Sequence, residues 1–330
     1  MDSFLNVAGH ENAKKLLSAA LRNKKIAHSY LFIGVENLGK FLLAKEFAKN
    51  LSCQNGTFGN ACGVCPRCLT IENETDPDVL FINSSKNKIL DKDGEEKKSI
   101  SIDEIRVLEH HLSLFPYNSK YKIAIINEAH KFTVEAVNAF LKTLEEPKGN
   151  SIIILVADDS KFLLKTLISR TQVIRFWPLK DETIENFLVS RKAPVQKAKT
   201  ISAISSGKPG LAIEFLKNEQ KIEDHYKKEE IFWNFFASNL SEKIIFLENL
   251  SKNEEKGENI SDVLRFWLLC LRKKILEKYL SGGVANGAMQ TEGGLKKTVD
   301  FINNLVIILN LINSSNINKR LALEILALEI

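Results

Sequence analysis

The segment "HSYLFIGVENLGKFLLAKEFAKNL", residues 28–51, decides the fold class of this chain. An apolar run ends at Gly34, and the apolar residues of 40–51 recur at helical spacing, so the segment predicts a strand, a loop and a helix. Gly34, Gly39 and Lys40 have the spacing of a phosphate-binding loop. Where that loop needs a hydroxyl, the sequence has Phe41.

Two further apolar runs follow, "YKIAIIN" at 121–127 and "SIIILVA" at 151–157. Both predict buried strands of a parallel sheet, because such strands are apolar on both faces. The segment between them, "TVEAVNAFLKTLEEP" at 133–147, has helical periodicity and ends at a proline. Strands that alternate with helices predict an α/β fold.

The C-terminal part of the chain has a helical composition. Residues 210–330 contain no proline and are rich in Leu, Ile, Lys and Glu. We expect a three-helix segment over 178–218 and longer amphipathic helices beyond it. One of these, "ISDVLRFWLLCLRKKILEKYL", is predicted to start at an N-cap Ser261 and to end before Gly282. The stretch 281–294 is predicted to be a loop between two helices.

The overall composition is that of a globular protein. A chain of 330 residues with 44% hydrophobic and 26% charged residues predicts two or three domains. The net charge of +5 is far below that of a dedicated DNA-binding protein. The charged run at 86–98 alternates in sign and is typical of a solvated loop. The sequence shows no signal segment or membrane span, so we predict a cytoplasmic protein with no membrane partner.

Four of the five cysteines form a cluster: Cys53, Cys62, Cys65 and Cys68. Thiolates at this spacing close a tetrahedral zinc site that has no open position, so the predicted metal is structural. A redox pair lacks its usual setting here, and disulfides are disfavoured in the cytosol. Cys270 lies in an apolar helix and is predicted to be a core residue.

Several segments together resemble the bacterial clamp-loader ATPases of the AAA+ class. They are "KIAHSYLFIGVENLGK", the four-cysteine module, "IAIINEAH", "NAFLKTLEEP" and "LISRTQVIRF", in the family's order. The resemblance implies an AAA+ P-loop domain at 1–176 with a zinc module at about 53–68, a three-helix lid domain at 177–218 and a helical collar domain at 219–330. It also implies a ring-like pentamer with gamma/tau-like motor subunits and a delta-like subunit, which uses ATP to load the sliding clamp onto primed DNA.

The chain departs from the motor subunits of that family at three positions. Phe41 has no lone pair for magnesium, and the neutral Asn127 stands where a second magnesium partner is normally an aspartate. Gly210 is the position that aligns with an arginine that reaches the γ-phosphate, although Lys208 is close by. Glu128, the candidate water-activating carboxylate, is retained. These losses favour the delta-prime type of subunit, which commonly does not hydrolyse ATP.

Nucleotide binding is a separate question from hydrolysis. Gly34, Gly39 and Lys40 are retained, and the lysine and the loop's backbone amides are able to hold a phosphate. The sequence therefore leaves ATP binding at this degenerate loop open, while predicting that the chain has no ATPase activity of its own.

Arg170, in the segment "ISRT", is the residue that the resemblance marks as functional. The family places an arginine of this motif at the subunit interface, where it points into the ATP site of a neighbour. Here the motif's cysteine is replaced by Thr171. The resemblance thus implies that Arg170 acts in trans as an arginine finger.

Two alternatives stand beside this interpretation. A gamma/tau-like motor subunit would share the zinc module and the helix at 133–147, and Phe41, Asn127 and Gly210 argue against it. A zinc-dependent nucleic-acid-binding module would need basic and aromatic residues around the cysteines, and "CGVCPRC" offers only Arg67.

Overall fold

The structure is a computed structural model that describes residues 4, 6–56, 60–83, 99–158, 163, 165–254, 259–280, 292–314 and 319–328. The chain divides into two compact units, Met1–Lys217 and Asn218–Ile330. The boundaries of the three predicted domains stay predictions. The charged run at 86–98 and most of the predicted loop at 281–294 lie outside the described residues.

The first unit is built on a parallel sheet in the spatial order β2, β3, β4, β1, β5. The three predicted strands are confirmed as β1, β3 and β4, and the sequence analysis did not identify β2 and β5. These two lie at the edges of the sheet, where fewer side chains are buried and the apolar signal is weaker. The strands are β1 (Ser29–Ile33), β2 (Val79–Asn83), β3 (Lys122–Asn127), β4 (Ser151–Ala157) and β5 (Gln172–Arg175).

Nine α-helices are described in the first unit. The predicted helix between β3 and β4 is confirmed, and the Thr133 side chain caps it by accepting a hydrogen bond from the Ala136 amide. The helices are α1 (Glu11–Arg22), α2 (Lys40–Ser52), α3 (Pro66–Glu72), α4 (Ile102–Ser113), α5 (Val134–Glu145), α6 (Lys165–Ile168), α7 (Asp181–Ser190), α8 (Val195–Ile204) and α9 (Pro209–Lys217).

The sheet separates two apolar clusters, because successive side chains of a strand point to opposite faces. Along β1, Tyr30 and Phe32 belong to one cluster, and Leu31 and Ile33 belong to the other. Every residue of β4 is buried. The first unit therefore has a central sheet covered by helices on both faces, which holds the loops at the carboxyl ends of β1, β3 and β4 side by side.

The second unit is helical in its described residues. It contains α10 (Glu219–Ala237), α11 (Leu240–Glu254), α12 (Ile260–Leu280), α13 (Glu292–Ser314) and α14 (Lys319–Leu328). Its core is formed around Trp267, whose ring stacks on Phe235 at 4.5 Å. Cys270 is buried in this core, as predicted.

The predicted start of α12 is wrong by a small shift. The helix begins at Ile260, one residue before the predicted cap, and the Asn259 side chain accepts a hydrogen bond from the Ser261 amide at 3.0 Å. An asparagine carboxamide satisfies a free amide of the first turn as well as a serine hydroxyl does, so Asn259 takes the capping role that was predicted for Ser261. Among the described helices, none is long and apolar enough to cross a membrane.

Candidate phosphate loop, metal centre and interface arginine

The predicted phosphate loop lies at the carboxyl edge of the sheet, between the end of β1 at Ile33 and the start of α2 at Lys40. Its two glycines are each required for a different steric reason. Gly39 has φ of 84°, a left-handed conformation that a residue with a side chain rarely adopts. At Gly34, a Cβ would lie 2.5 Å from the carbonyl oxygen of Phe176. The loop therefore retains the backbone geometry that the motif requires.

The ammonium group of Lys40 is bound entirely within the chain. Its Nζ donates to the carbonyl oxygens of Gly34 at 2.5 Å and Val35 at 2.6 Å, and to Asp158 Oδ1 at 3.0 Å. These three acceptors match the three protons of the ammonium group. Lys40 is only 4% exposed, and its burial lowers its pKa while the Asp158 carboxylate opposes that shift.

Asp158 is a site residue that the sequence analysis missed. It follows β4 directly, and its carboxylate lies beside the lysine that would bind a phosphate in a working loop. Its Oδ2 is 3.7 Å from His130 Nε2, and burial lowers the pKa of that histidine. The only signal in the sequence is an acidic residue directly after a buried strand. Its pairing with Lys40 joins residues that are far apart in the chain.

Phe41 serves the apolar core. Its ring makes an edge-to-face contact with Phe81 of β2 at 6.2 Å between centroids, and the Lys45 ammonium lies 5.9 Å from the ring centroid. The position offers no oxygen for magnesium. At the end of β3, Asn127 is also neutral, and the neighbouring Glu128 is paired with Lys131 at 2.5 Å. This edge of the sheet thus lacks the hydroxyl at position 41 and the charged carboxylate at position 127 that would hold the metal in a working site.

Gly210 belongs to α9 and packs directly against the phosphate loop. Its amide donates to the Asn37 carbonyl oxygen at 2.8 Å, and a Cβ at this position would lie 2.9 Å from the same oxygen. Lys208 pairs with Glu36 of the loop at 3.4 Å. A long side chain at position 210 would therefore collide with the loop in this arrangement, and the nearby lysine is engaged by a carboxylate.

His10 holds the loop from its other side. Its Nε2 lies 2.9 Å from the Leu38 carbonyl oxygen, and its ring packs against Phe176 at 4.7 Å. Burial lowers the pKa of His10 to about 4, so the imidazole is neutral at pH 7. Since the carbonyl can only accept, the proton sits on Nε2.

The four predicted cysteine ligands come together in space. The sulfur atoms of Cys53, Cys62, Cys65 and Cys68 all lie within 4.8 Å of one another, with 3.5 Å between the first two. Zinc–sulfur bonds of about 2.3 Å imply sulfur–sulfur distances of roughly 3.8 Å in a tetrahedron. The donor set and spacing fit a zinc ion held by all four thiolates, which would cross-link the end of α2 to the start of α3.

A buried charge network ties this cysteine module to the sheet. Arg67 lies between two of the cysteines and pairs with Asp76 at 3.3 Å and with Asp78 at 3.1 Å. Asp78 also accepts hydrogen bonds from Lys122 and from the Tyr117 amide. Although burial opposes ionisation, these donors hold the pKa of Asp78 far below its usual range. Arg67 is 5% exposed, so the one basic side chain of the module is not available to nucleic acid.

Arg170 lies just before β5, and its backbone is fixed by a hydrogen bond from the Ser29 hydroxyl to the Arg170 carbonyl oxygen at 2.8 Å. Its side chain is 36% exposed. The Nη1 group donates to the Thr166 carbonyl oxygen at 3.0 Å, and Nη2 lies 2.5 Å from Glu145 Oε1. Unlike Lys40, this cation is partly open to solvent.

The parallel sheet, the glycine loop before α2 and the helices on both faces make up a P-loop-type α/β module with an altered phosphate site. A family model described as DNA polymerase III, delta subunit, matches residues 9–180. The chain belongs to this family of clamp-loader subunits.

Curated relatives lie in the same family. DNA polymerase III subunit tau of Bacillus subtilis is 28% identical over 298 residues, which cover 84% of this chain and 51% of the relative. DNA polymerase III subunit delta' of the same organism is 30% identical over 213 residues, which cover 64% of this chain and 61% of the relative. The chain thus spans about half the length of the tau subunit and less than two thirds of the delta' subunit.

A solved structure supports the fold alone. A RuvB variant from Thermotoga maritima superimposes with a TM-score of 0.50 at 14% identity, covering 90% of this chain and 96% of that chain. At this identity the likeness shows the AAA+ architecture and carries no residue roles.

Proposed function

We propose that the chain is a delta-prime-like subunit of the DNA polymerase III clamp loader, which helps to load the sliding clamp onto primed DNA and does not hydrolyse ATP itself. In this proposal Arg170 completes the ATP site of a neighbouring motor subunit. An arginine finger supplied in trans contributes about three to five orders of magnitude in rate.

The observation that carries this proposal is the internal binding of Lys40. Its three acceptors come from the chain, and one of them is the carboxylate of Asp158, an anion as a phosphate would be. A nucleotide would have to displace these contacts and approach a carboxylate of its own sign. Without the hydroxyl at Phe41 or the carboxylate at Asn127, no ordered metal offsets that repulsion.

The remaining parts of the chain receive scaffolding roles in this proposal. Residues 1–176 form the AAA+ domain, 177–218 the lid and 219–330 the collar through which the subunit joins its partners. Those partners are gamma/tau-like motor subunits and a delta-like subunit, and the sliding clamp and primed DNA are met through the complex. A zinc ion held by the four cysteines would stabilise the first domain without taking part in hydrolysis.

The second candidate function is that of an ATP-hydrolysing gamma/tau-like motor. It is favoured by one observation, because the tau relative matches 84% of this chain and the delta' relative matches 64%. The state of the phosphate loop argues against it.

One experiment separates the two functions. The purified chain is assayed for magnesium-dependent ATP hydrolysis with primed DNA, alone and after assembly with motor subunits. We expect no turnover by the chain alone, either as it stands or as Phe41→Ser, since Asn127 still offers the metal no carboxylate and Asp158 still opposes the phosphate. Turnover by the unmodified chain at the rate of a motor subunit would favour the second candidate.

A further inference from the structure

The side chain of Arg170 is restrained by two contacts that lie on different elements. Thr166 belongs to α6 and accepts from Nη1, and Glu145 is the last residue of α5 and pairs with Nη2. Together with the fixed backbone carbonyl, these contacts define where the guanidinium lies. A guanidinium carries five N–H groups, so at least half of its donors are left for an external anion.

Glu145 is an unusual choice for its position in the helix. The carboxyl end of a helix carries a partial negative charge, so a glutamate in the last turn is disfavoured by the helix dipole. The Glu145 side chain is also 51% exposed and makes no contribution to the apolar core. The helix dipole does not favour this residue, and the contact that its carboxylate makes is the ion pair with Arg170.

We propose that Glu145 is the positioning residue of the interface arginine. The carboxylate fixes Nη2 from the side of α5, so that the remaining N–H groups face outward in one orientation. This inference rests on the proposed function of Arg170. A free arginine side chain samples many rotamers, and restraining it in advance reduces the entropy lost when it meets the γ-phosphate of a neighbouring site.

The expected effect of removing the carboxylate is modest and falls on turnover. In Glu145→Ala the guanidinium keeps its contact with Thr166 and loses the second restraint. Exposed ion pairs of this kind correspond to about a two- to fivefold effect, so we expect hydrolysis at the neighbouring site to fall by about that factor. The KM for ATP should stay unchanged, because the arginine acts mainly in the transition state.

The experiment is a double-mutant cycle in a loader reconstituted from full-length subunits. The remaining motor sites carry a substitution of their own loop lysine, so that turnover comes from the site that Arg170 faces. The chain is supplied as parent, Glu145→Ala, Arg170→Ala and the double variant. Glu146→Ala is the matched control, since it makes the same change one residue further on, at an exposed glutamate.

Each result of the cycle decides a different point. We expect Glu146→Ala to match the parent, and Glu145→Ala to cause no further loss once Arg170 is gone. If Arg170→Ala leaves turnover unchanged, the proposed function fails and the role of Glu145 fails with it. If Arg170→Ala lowers turnover while Glu145→Ala matches or exceeds the parent, or lowers it equally in both backgrounds, only the positioning role is overturned.

A structural readout that is independent of turnover completes the test. In the isolated chain, the Nε–H NMR signal of Arg170 is assigned by its absence in Arg170→Ala. We expect this signal to shift and to report greater side-chain motion in Glu145→Ala, and to stay at its parental position in Glu146→Ala. An unchanged signal in Glu145→Ala would show that the carboxylate does not hold the guanidinium and would overturn the inference.

Discussion

Lys40 and Arg170 are cations of the same compact unit, and the structure places them in opposite situations. The lysine is 4% exposed, and all three of its protons are bound by acceptors of the chain. The arginine is 36% exposed and keeps N–H groups beyond its two internal contacts. The phosphate loop therefore behaves as an internal structural feature, whereas the arginine is able to meet an anion from outside.

If the proposed function holds, the comparison separates a retained motif from a retained activity. Gly34 and Gly39 preserve the loop because the backbone needs them, with or without a nucleotide. The residues that would make the loop reactive, by contrast, have been replaced by core or neutral side chains at Phe41 and Asn127. A motif whose backbone geometry serves the fold can outlast its chemistry.

The largest effect that we expect is on the four-cysteine metal centre. This centre involves neither Lys40 nor Arg170, so its loss should affect stability alone. Cys65→Ser should lower the free energy of unfolding of the first unit by roughly 3 to 5 kcal/mol, since three thiolates hold zinc far more weakly than four. Urea unfolding and elemental analysis of anaerobically purified protein measure the two consequences. Cys270→Ser should keep one zinc per chain. A parent chain without zinc would refute the assignment.

A substitution at Lys40 tests whether the loop is structural. Lys40→Met should lower the free energy of unfolding by about 1 to 3 kcal/mol, because the carbonyl oxygens of Gly34 and Val35 lose their shared donor. It should leave ATP hydrolysis by the assembled loader unchanged, since in the proposed function the lysine takes no part in hydrolysis. The two measurements are made on one preparation, by urea unfolding and by steady-state turnover. A loss of turnover in a fully assembled complex would place nucleotide in this loop.

The role of Asp158 as an internal anion can be tested by binding. Asp158→Asn removes a negative charge beside Lys40, so we expect the isolated chain to bind pyrophosphate about tenfold more tightly. Calorimetric titration compares it with the parent and with Asp103→Asn, whose carboxylate pairs with exposed Arg106. Equal affinities in all three proteins would show that Asp158 does not occupy the phosphate position.

The smallest effect is a pH dependence from His10. Its pKa in the folded chain is about 4, below its ordinary value of 6.5, so folding favours the neutral imidazole. This contribution is complete above pH 6.5 and is lost as the pH falls towards 4, by about 1 kcal/mol between pH 7 and pH 5. His10→Gln, which keeps a donor to Leu38, should show a shallower loss in urea unfolding. An equal loss of unfolding free energy in both proteins as the pH falls would exclude His10 as the source of the pH dependence.

The sequence predicted the buried centre of the fold and missed its edges. The runs that became β1, β3 and β4 are apolar on both faces, which is a strong signal, whereas only Ile174 is buried in β5. The cysteine cluster was predictable because four ligands lie within a short segment. The start of α12 was not, since Asn259 and Ser261 are equally good caps.

The missing parts of the site depend on contacts between distant residues. Asp158 carries no motif, and its meaning appears only when the sheet places it beside Lys40. The same holds for Gly210. The sequence analysis aligned it with an arginine of the motor subunits, and only the structure shows that it lies against Asn37. Glu145 was part of a recognised helix, yet its pairing with Arg170 joins two elements that no periodicity connects.

The central claim is that this chain is inert at its own phosphate loop and active through Arg170 at a neighbour's site, and one measurement tests it most directly. A loader is reconstituted with the parent chain or with Arg170→Ala, its assembly is verified, and ATP hydrolysed and clamps loaded are counted per unit time. We predict that the rate of ATP hydrolysis by the complex falls by the fraction that comes from the one site completed by Arg170. The rate of clamp loading should fall with it, and nucleotide affinity should change less. Equal rates of hydrolysis and loading in the two assembled complexes would make Arg170 an ordinary surface residue and would contradict the account.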